Sequence, residues 1–361
     1  MELTPITPSS PSLPSPSGLS TPPVPPKNSY KNFLPILILL VFGSTFIGGF
    51  IALSNSSSSR WDVVSNSDSH GVEDWSEILR SRVLQWCEGS DSRAKIIELA
   101  GPIEQWNTTL VTSFKNIFRD CKCSTIDNDH PNTCDPDLGN WDTSNVVDMS
   151  HAFQNNHIFT GKNLEKWDVS NVVDMSNIFD HCYGFNGEVG GWNTGKVTKM
   201  TKTFYAAEAF ERDLSGWDTR NVEYMEFMFA YAKQIEPKGT EGRSYGLQNW
   251  DVSKVKYFTG MFNYNDYFNE DISNWDPKEA LSMADMFSSA GWADGLGINQ
   301  DLSGWNVTRV EHFERFLCLA NSFSEDNKNK LCEVGTAHKS WIANFCDSGL
   351  GWANFPADPC K

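Results

Sequence analysis

Basic residues are scarce in this chain: 29 Lys and Arg stand against 46 Asp and Glu, a net charge of −17. Setting aside residues 1–53 removes only Lys27, Lys31 and Glu2, so the rest stays as acidic. A surface of that sign argues against nucleic acid and anionic lipid surfaces as partners. It is compatible with basic proteins, divalent cations or plain solubility. No Cys-x-x-Cys occurs, and Cys121-Lys-Cys123 is a poor zinc signature. The seven His (His70, His130, His151, His157, His181, His312 and His338) are scattered, and none falls in a His-Glu-x-x-His pair. The chain therefore implies no cofactor, no catalytic set and no enzyme. Long apolar runs are also nearly missing; Phe33 to Leu53 is the exception.

Tryptophan is abundant. Trp141, Trp167, Trp192, Trp217, Trp250, Trp275 and Trp305 follow one another at steps of 26, 25, 25, 33, 25 and 30 residues, and Trp106 lies 35 upstream. A near-constant period of this length marks one supersecondary unit repeated, each repeat burying its apolar face against its neighbours. Three residues before each Trp stands an aliphatic, from Ile103 and Leu138 to Leu302. Five residues after it comes Val (Ala280 in one repeat), eight after it Met or Phe, and twelve after it Phe, with Leu317 last. Offsets of five, eight and twelve predict one face of a short helix. Leu-x-x-Trp predicts a short strand, and Asp142-Thr-Ser-Asn145 predicts a turn between them.

Trp141-Asp-Thr-Ser-Asn-Val-Val-Asp-Met-Ser-His-Ala-Phe153, followed by Phe159 and Leu164, resembles the repeat of BspA-like surface proteins. The resemblance covers about residues 103–325. It departs at Lys199, Tyr224, Tyr257 and Ser282, where other repeats carry Asp148 and Asp174. It implies a leucine-rich-repeat-like fold and a cell-surface adhesive or ligand-binding role, with no established catalytic residues. The fold class expected is an α/β repeat solenoid, a right-handed stack of short strand plus helical turn, with a helical amino-terminal cap and one transmembrane helix before it.

Residues 1–32 form a Pro/Ser-rich tail, 33–53 a signal anchor of spanning length, and 54–70 a Ser-rich stalk. Residues 71–102 form a helical cap, with Val72, Trp75, Leu79, Val83 and Trp86 as its stripe and Asp74 with Glu77 as a capping box. Residues 103–325 hold eight repeats, and 326–361 a Cys-containing carboxy-terminal cap. Lys27 and Lys31 ahead of the apolar run place the amino terminus in the cytoplasm and the repeats outside or in a lumen. That gives a single-pass protein of the plasma membrane or an endomembrane. A cleaved signal peptide is the rival, with Ala52-Leu-Ser54 as its cleavage site.

Nine Cys fit an oxidising compartment. Cys123 and Cys134 are expected to pair, as are Cys318, Cys332, Cys346 and Cys360 among themselves, leaving Cys182 a thiol. Asp127, Asp129, Asp135 and Asp137 are oxygen ligands dense enough to hold calcium; a solvated acidic loop is the alternative. Asn55, Asn107 and Asn306 are N-glycosylation acceptors if the chain is secreted. Pro22, Pro25 and Lys27 spell a polyproline ligand for a cytoplasmic domain.

The function expected is non-catalytic recognition of a protein or glycan. A lumenal enzyme with a glycosyltransferase-like layout and a self-associating scaffold are the alternatives. The longest repeats begin at Trp106, Trp217 and Trp275, and their extra residues fall between the Phe column and the next Leu-x-x-Trp. Constant phase means constant face, so the binding surface is expected there, with Arg243, Tyr245 and Trp292 as anchors.

Overall fold

A computed structural model describes residues 74–121, 135–232, 245–290, 297–320 and 322–335. The chain enters through α1, Trp75–Cys87, and α2, Ser90–Ala100. Asp74 caps α1, its Oδ1 accepting the Ser76 N–H at 2.9 Å. Glu77 forms no reciprocal capping bond here and pairs with Arg80 at 3.1 Å. Leu79, Val83 and Trp86 bury the inner face of α1. A disulfide joins Cys87 to Cys121, across a sequence separation of 34, a bridge that the spacing of the cysteines did not signal.

Beyond the cap the Trp-centred repeats stack on one another. The expected strand-plus-helix unit is not what forms. Among the described residues there is no sheet, only seven isolated parallel bridges that link neighbouring repeats, running through Ser113, Asp148, Asp174, Lys199, Tyr224, Tyr257, Ser282 and His312. Leu-x-x-Trp forms short 3-10 turns at Ile103–Gln105, Leu164–Lys166 and Leu247–Asn249. The Val-Met-Phe stretch is a run of turns and not a helix, for a backbone reason. Residues ten and fourteen after each Trp have positive φ in every repeat, as in Asn177 and His181 at 58° and 57°, which breaks a right-handed helix. The N–H groups at offsets eight, ten, twelve and fourteen then leave the repeat. In one central repeat Met175, Asn177, Phe179 and His181 donate to the carbonyls of Lys199, Thr201, Thr203 and Tyr205 in the next, at 2.8–3.0 Å. Spacings of three and four are shared by helices and by such turn ribbons, and only the backbone separates the two.

The sequence columns nevertheless name the core. Each Val, Met and Phe column is buried, as are the Leu and Trp columns. The indole N–H gives Trp its special fitness. Trp141, Trp167, Trp192, Trp217, Trp250, Trp275 and Trp305 each donate through Nε1 to the carbonyl of the residue three before the preceding Trp, at 2.9–3.2 Å. Thr108, Thr143, Thr194 and Thr219 bond across repeats in the same way, to the carbonyls of Asp142, Asp168, Asp218 and Asp251. Asp142, Asp168 and Asp251 close the turn after Trp by accepting the N–H of the Ser two residues on. At the amino-terminal end Ser76 Oγ accepts the N–H groups of Thr112 and Ser113. It stands there for the carbonyl of a preceding repeat, as Thr112 O receives Val147 N–H one repeat on.

The membrane anchor is also corrected. No helix among the described residues is long and apolar enough to cross a membrane. α1 has 13 residues, about 20 Å at 1.5 Å per residue, against a hydrocarbon core of about 30 Å. The run Phe33 to Leu53, the tail before it and the stalk after it lie outside the described residues. The structure thus does not support the single-pass topology, the cytoplasmic amino terminus or the membrane localisation drawn from that run.

Candidate functional site

The three loops expected to carry recognition are mostly outside the described residues, and Arg243, Trp292, Asp127 and Asp129 go with them. Tyr245 is described, and it is not a surface anchor. It is 1% exposed, stacks on Phe210 and Phe229 at 5.9 and 5.1 Å, and its hydroxyl donates to the Phe210 carbonyl. It occupies the core position that Phe159, Phe185 and Phe268 fill in other repeats, each packed on the Phe column at 3.6–4.0 Å. The insertion before Tyr245 hides this register in the sequence.

Asp135 and Asp137 are spent on the neighbouring repeat. Asp135 accepts the N–H and O–H of Thr160 and pairs with Lys162 at 2.8 Å. Asp137 accepts from Gly139 N–H and Asn163 Nδ2. Among the described residues no group of three His, Cys, Asp or Glu is placed to hold a metal ion. Asn107 and Asn306 sit exposed in the turn after Trp, and each Oδ1 accepts the N–H of the Thr two residues on. Cys182 is a buried free thiol whose Sγ donates to the Phe153 carbonyl; burial pushes its pKa far up. Cys318 is disulfide-bonded. Asn55, Cys123, Cys134, Cys346, Cys360, Pro22, Pro25 and Lys27 lie outside the described residues, as does the side chain of Cys332.

Gly242-Arg-Ser-Tyr-Gly246 spells the Gly-x-Ser-x-Gly nucleophile elbow, a match that the repeat register masks. The elbow needs a strand before the Ser and a helix after it. Here the motif runs into the buried Tyr245 and a three-residue 3-10 turn. Nothing described around it resembles the elbow.

One surface stands out. Along the positive-φ column fourteen residues after Trp, and just beside it, the chain presents His157, His181, Tyr183, Tyr205, Tyr231 and Tyr264 on successive repeats. Tyr183, Tyr231 and Tyr264 are 37–41% exposed. Neighbouring rings touch in series: His157 to Tyr183 at 4.7 Å, His181 to Tyr205 at 5.2 Å, Tyr205 to Tyr231 at 5.5 Å and Tyr231 to Tyr264 at 4.8 Å. Lys202 lays its ammonium over Tyr205 at 5.0 Å and Phe227 at 5.7 Å, a cation–π contact within the row. The Phe227 ring packs close against Gly260 in the next repeat, where an added Cβ would collide with it. Partial burial raises the phenol pKa of Tyr205 and Tyr231, the neighbouring tyrosines adding to it. His181 Nδ1 lies 2.6 Å from the buried Asp180, whose other oxygen accepts from Gln154. The pair resembles the base and orienter of a hydrolase. The thiol next to it in sequence faces the core, so the arrangement reads as ring positioning.

The family described as "Mycoplasma protein of unknown function, DUF285" matches residues 93–135, 124–242 and 238–345 of the chain. No curated protein and no solved structure matches it.

Proposed function

The chain belongs to the DUF285 family, and from that premise we propose that it is a non-catalytic recognition protein that binds a macromolecular ligand on its exposed aromatic row. The row itself carries the reading. The core is already filled by the Trp, Val, Met and Phe columns, so stability does not call for further rings at the surface. Contiguous exposed aromatics mark interaction surfaces, and Tyr supplies large contact area at low entropic cost. The finer assignment to BspA-like surface repeats belongs to this proposal; it rests on the Trp-Asp-Thr-Ser-x-Val pattern at residues 141–146.

The test is binding of the full chain to a glycan array and to cells of the organism that makes it, compared with a Tyr183→Ala/Tyr231→Ala variant. Both residues are exposed, so the variant is expected to keep its melting temperature and lose at least tenfold in binding. Unchanged binding by the folded double variant overturns the proposal. So does loss of binding on trimming the segments within 122–134, 233–244 and 291–296 alone, which returns recognition to the long loops.

A further inference from the structure

The aromatic row is interrupted after Tyr264. In the next repeat the same column holds Ser289, and in the one after that Leu319. All three share one backbone conformation, with φ of 53°, 58° and 57°. The column is therefore continuous while one rung is missing. A pocket of about 430 Å³ lies at this place, with Tyr264 and Leu319 both on its lining. Tyr231 and Tyr264 stack at 4.8 Å and 10°. Tyr264 and Leu319 lie two repeats apart, so the interval between them takes one ring at the spacing of the row.

Phe227 adds a second ring to the lining, and the rest of it is polar. Asn263, Ser288 and Ser289 belong to it, with all three side chains at least nine-tenths buried. Asp285 and Arg315, paired with each other, also line it. An apolar wall on each side, with hydroxyl, amide, carboxylate and guanidinium groups beside them, is a specific chemical demand. A flat aromatic side chain would match the apolar walls alone and offer nothing to the polar groups beside them, where Asp285 pairs with Arg315 and Asn263 donates to the Ser288 carbonyl. A pyranose satisfies both: its C–H faces pack on the ring and the leucine, and its equatorial hydroxyls bond the polar groups.

We propose that this slot is a carbohydrate subsite, taking a single pyranose ring between Tyr264 and Leu319 as the missing rung of the row. The proposal rests on the recognition reading above and names its ligand class. Ser289→Tyr is the discriminating variant. Tyr already occupies this column and this backbone conformation at Tyr231 and Tyr264, so the substitution fills the slot with the chain's own ring. Saturation-transfer NMR on the full chain, with methyl β-glucopyranoside, β-galactopyranoside and α-mannopyranoside as probes, reads occupancy directly. Transfer to the ring C–H protons of at least one pyranoside is expected, with at least a tenfold loss in Ser289→Tyr. Tyr264→Ala, which removes one wall, is expected to lose it as well and serves if Ser289→Tyr does not fold. Absence of transfer from the wild type to all three probes overturns the proposal, as does transfer undiminished in the folded variants. Transfer to N-acetyltyrosine amide in place of the sugars overturns it too and makes the slot a socket for a protein side chain. The Tyr183→Ala/Tyr231→Ala variant keeps this slot intact. Pyranoside transfer retained there while cell binding is unchanged thus counts against the broader reading alone.

Discussion

Replacing Trp192 by Phe separates the two jobs of the indole. In the wild type the Trp192 ring lies between Trp167 and Trp217, at 6.3 and 6.4 Å and within 5° of parallel, and its Nε1 donates to the Leu164 carbonyl at 2.9 Å. Phenylalanine keeps an aromatic ring in the stack and removes the donor. The stripped carbonyl is not orphaned, because Leu164 O also accepts the Trp167 N–H at 3.0 Å. The loss is therefore a net hydrogen bond, about 1 kcal/mol, and not the full penalty of an unpaired buried acceptor. The smaller ring adds a void of a few heavy atoms, worth about 2 kcal/mol at roughly 0.8 kcal/mol per buried methylene. The sum is about 3 kcal/mol. Repeat stability is a nearest-neighbour property, so the effect is local. Native-state hydrogen exchange is the assay: the amides of Met175, Phe179, Met200 and Phe204 are expected to lose protection, while those of Phe262 and Phe287 keep it. A loss below about 0.5 kcal/mol, within the range of ordinary surface substitutions, would refute the role of the indole bond. A uniform loss along the whole chain would refute the nearest-neighbour picture.

Phe179→Ala empties a fully buried site packed by Phe153, Phe185, Phe204 and Trp192. It is expected to cost about 3–5 kcal/mol, measured by denaturant melts; a cost under about 1 kcal/mol would place the ring outside the core. Cys87→Ser frees a loop closed over 34 residues of sequence. It is expected to destabilise the cap by about 3–4 kcal/mol, read as protease nicking that starts within α1 and α2, and resistance equal to the wild type would contradict the bridge. Acid dependence follows from the turns. The Ser O–H and N–H hold the carboxyls of Asp142, Asp168, Asp251 and Asp271 below the usual range. Lys330 and Ser303 bring Asp301 to about 2. Folded values below the unfolded value of about 3.9 mean that the folded chain binds fewer protons there, so this stability is present above about pH 4 and lost as pH falls toward 2. Melting temperatures between pH 5 and 2 check it; the Asp142→Asn/Asp168→Asn/Asp251→Asn/Asp271→Asn variant is expected to show a shallower fall, and an unchanged slope would sink the assignment.

The sequence showed which residues are inside far better than which backbone carries them. The Trp, Val, Met and Phe columns were legible because burial repeats with the period, whatever the local dihedrals. The helix expected from offsets five, eight and twelve failed because that spacing is degenerate. The deciding signal was at offsets ten and fourteen, where Asn116, Asn177 and Gly260, and Asp120 and Asn155, tolerate positive φ. Lys202, Phe227 and Tyr231 at the same phases, which do not favour it, obscured that signal. In those repeats the bonds to the next repeat override residue preference. The strand expected of Leu-x-x-Trp failed for a related reason: its carbonyl is already used by the indole of the following repeat and by its own Trp N–H, which favours a tight turn.

The candidate site was illegible for a different reason. Insertions attract attention because they break a period, and the loops of the long repeats did so. The residues that form the aromatic row break no period: Tyr231 and Tyr264 lie fourteen residues after their Trp, and Tyr205 and Tyr183 lie thirteen and sixteen after theirs, so only the folded stack shows that they share a surface. In a stack, a surface feature is a column, and a column is visible only after core and solvent offsets are told apart. Tyr245 shows the converse. Read as an anchor because it follows an insertion, it is the core aromatic of its repeat, placed by the return of the register just before Leu247. The Ser289 slot obeys the same logic, since a missing side chain in a regular column carries as much information as an added loop. It is a vacancy of one ring, and the ring chemistry around it specifies what can fill it.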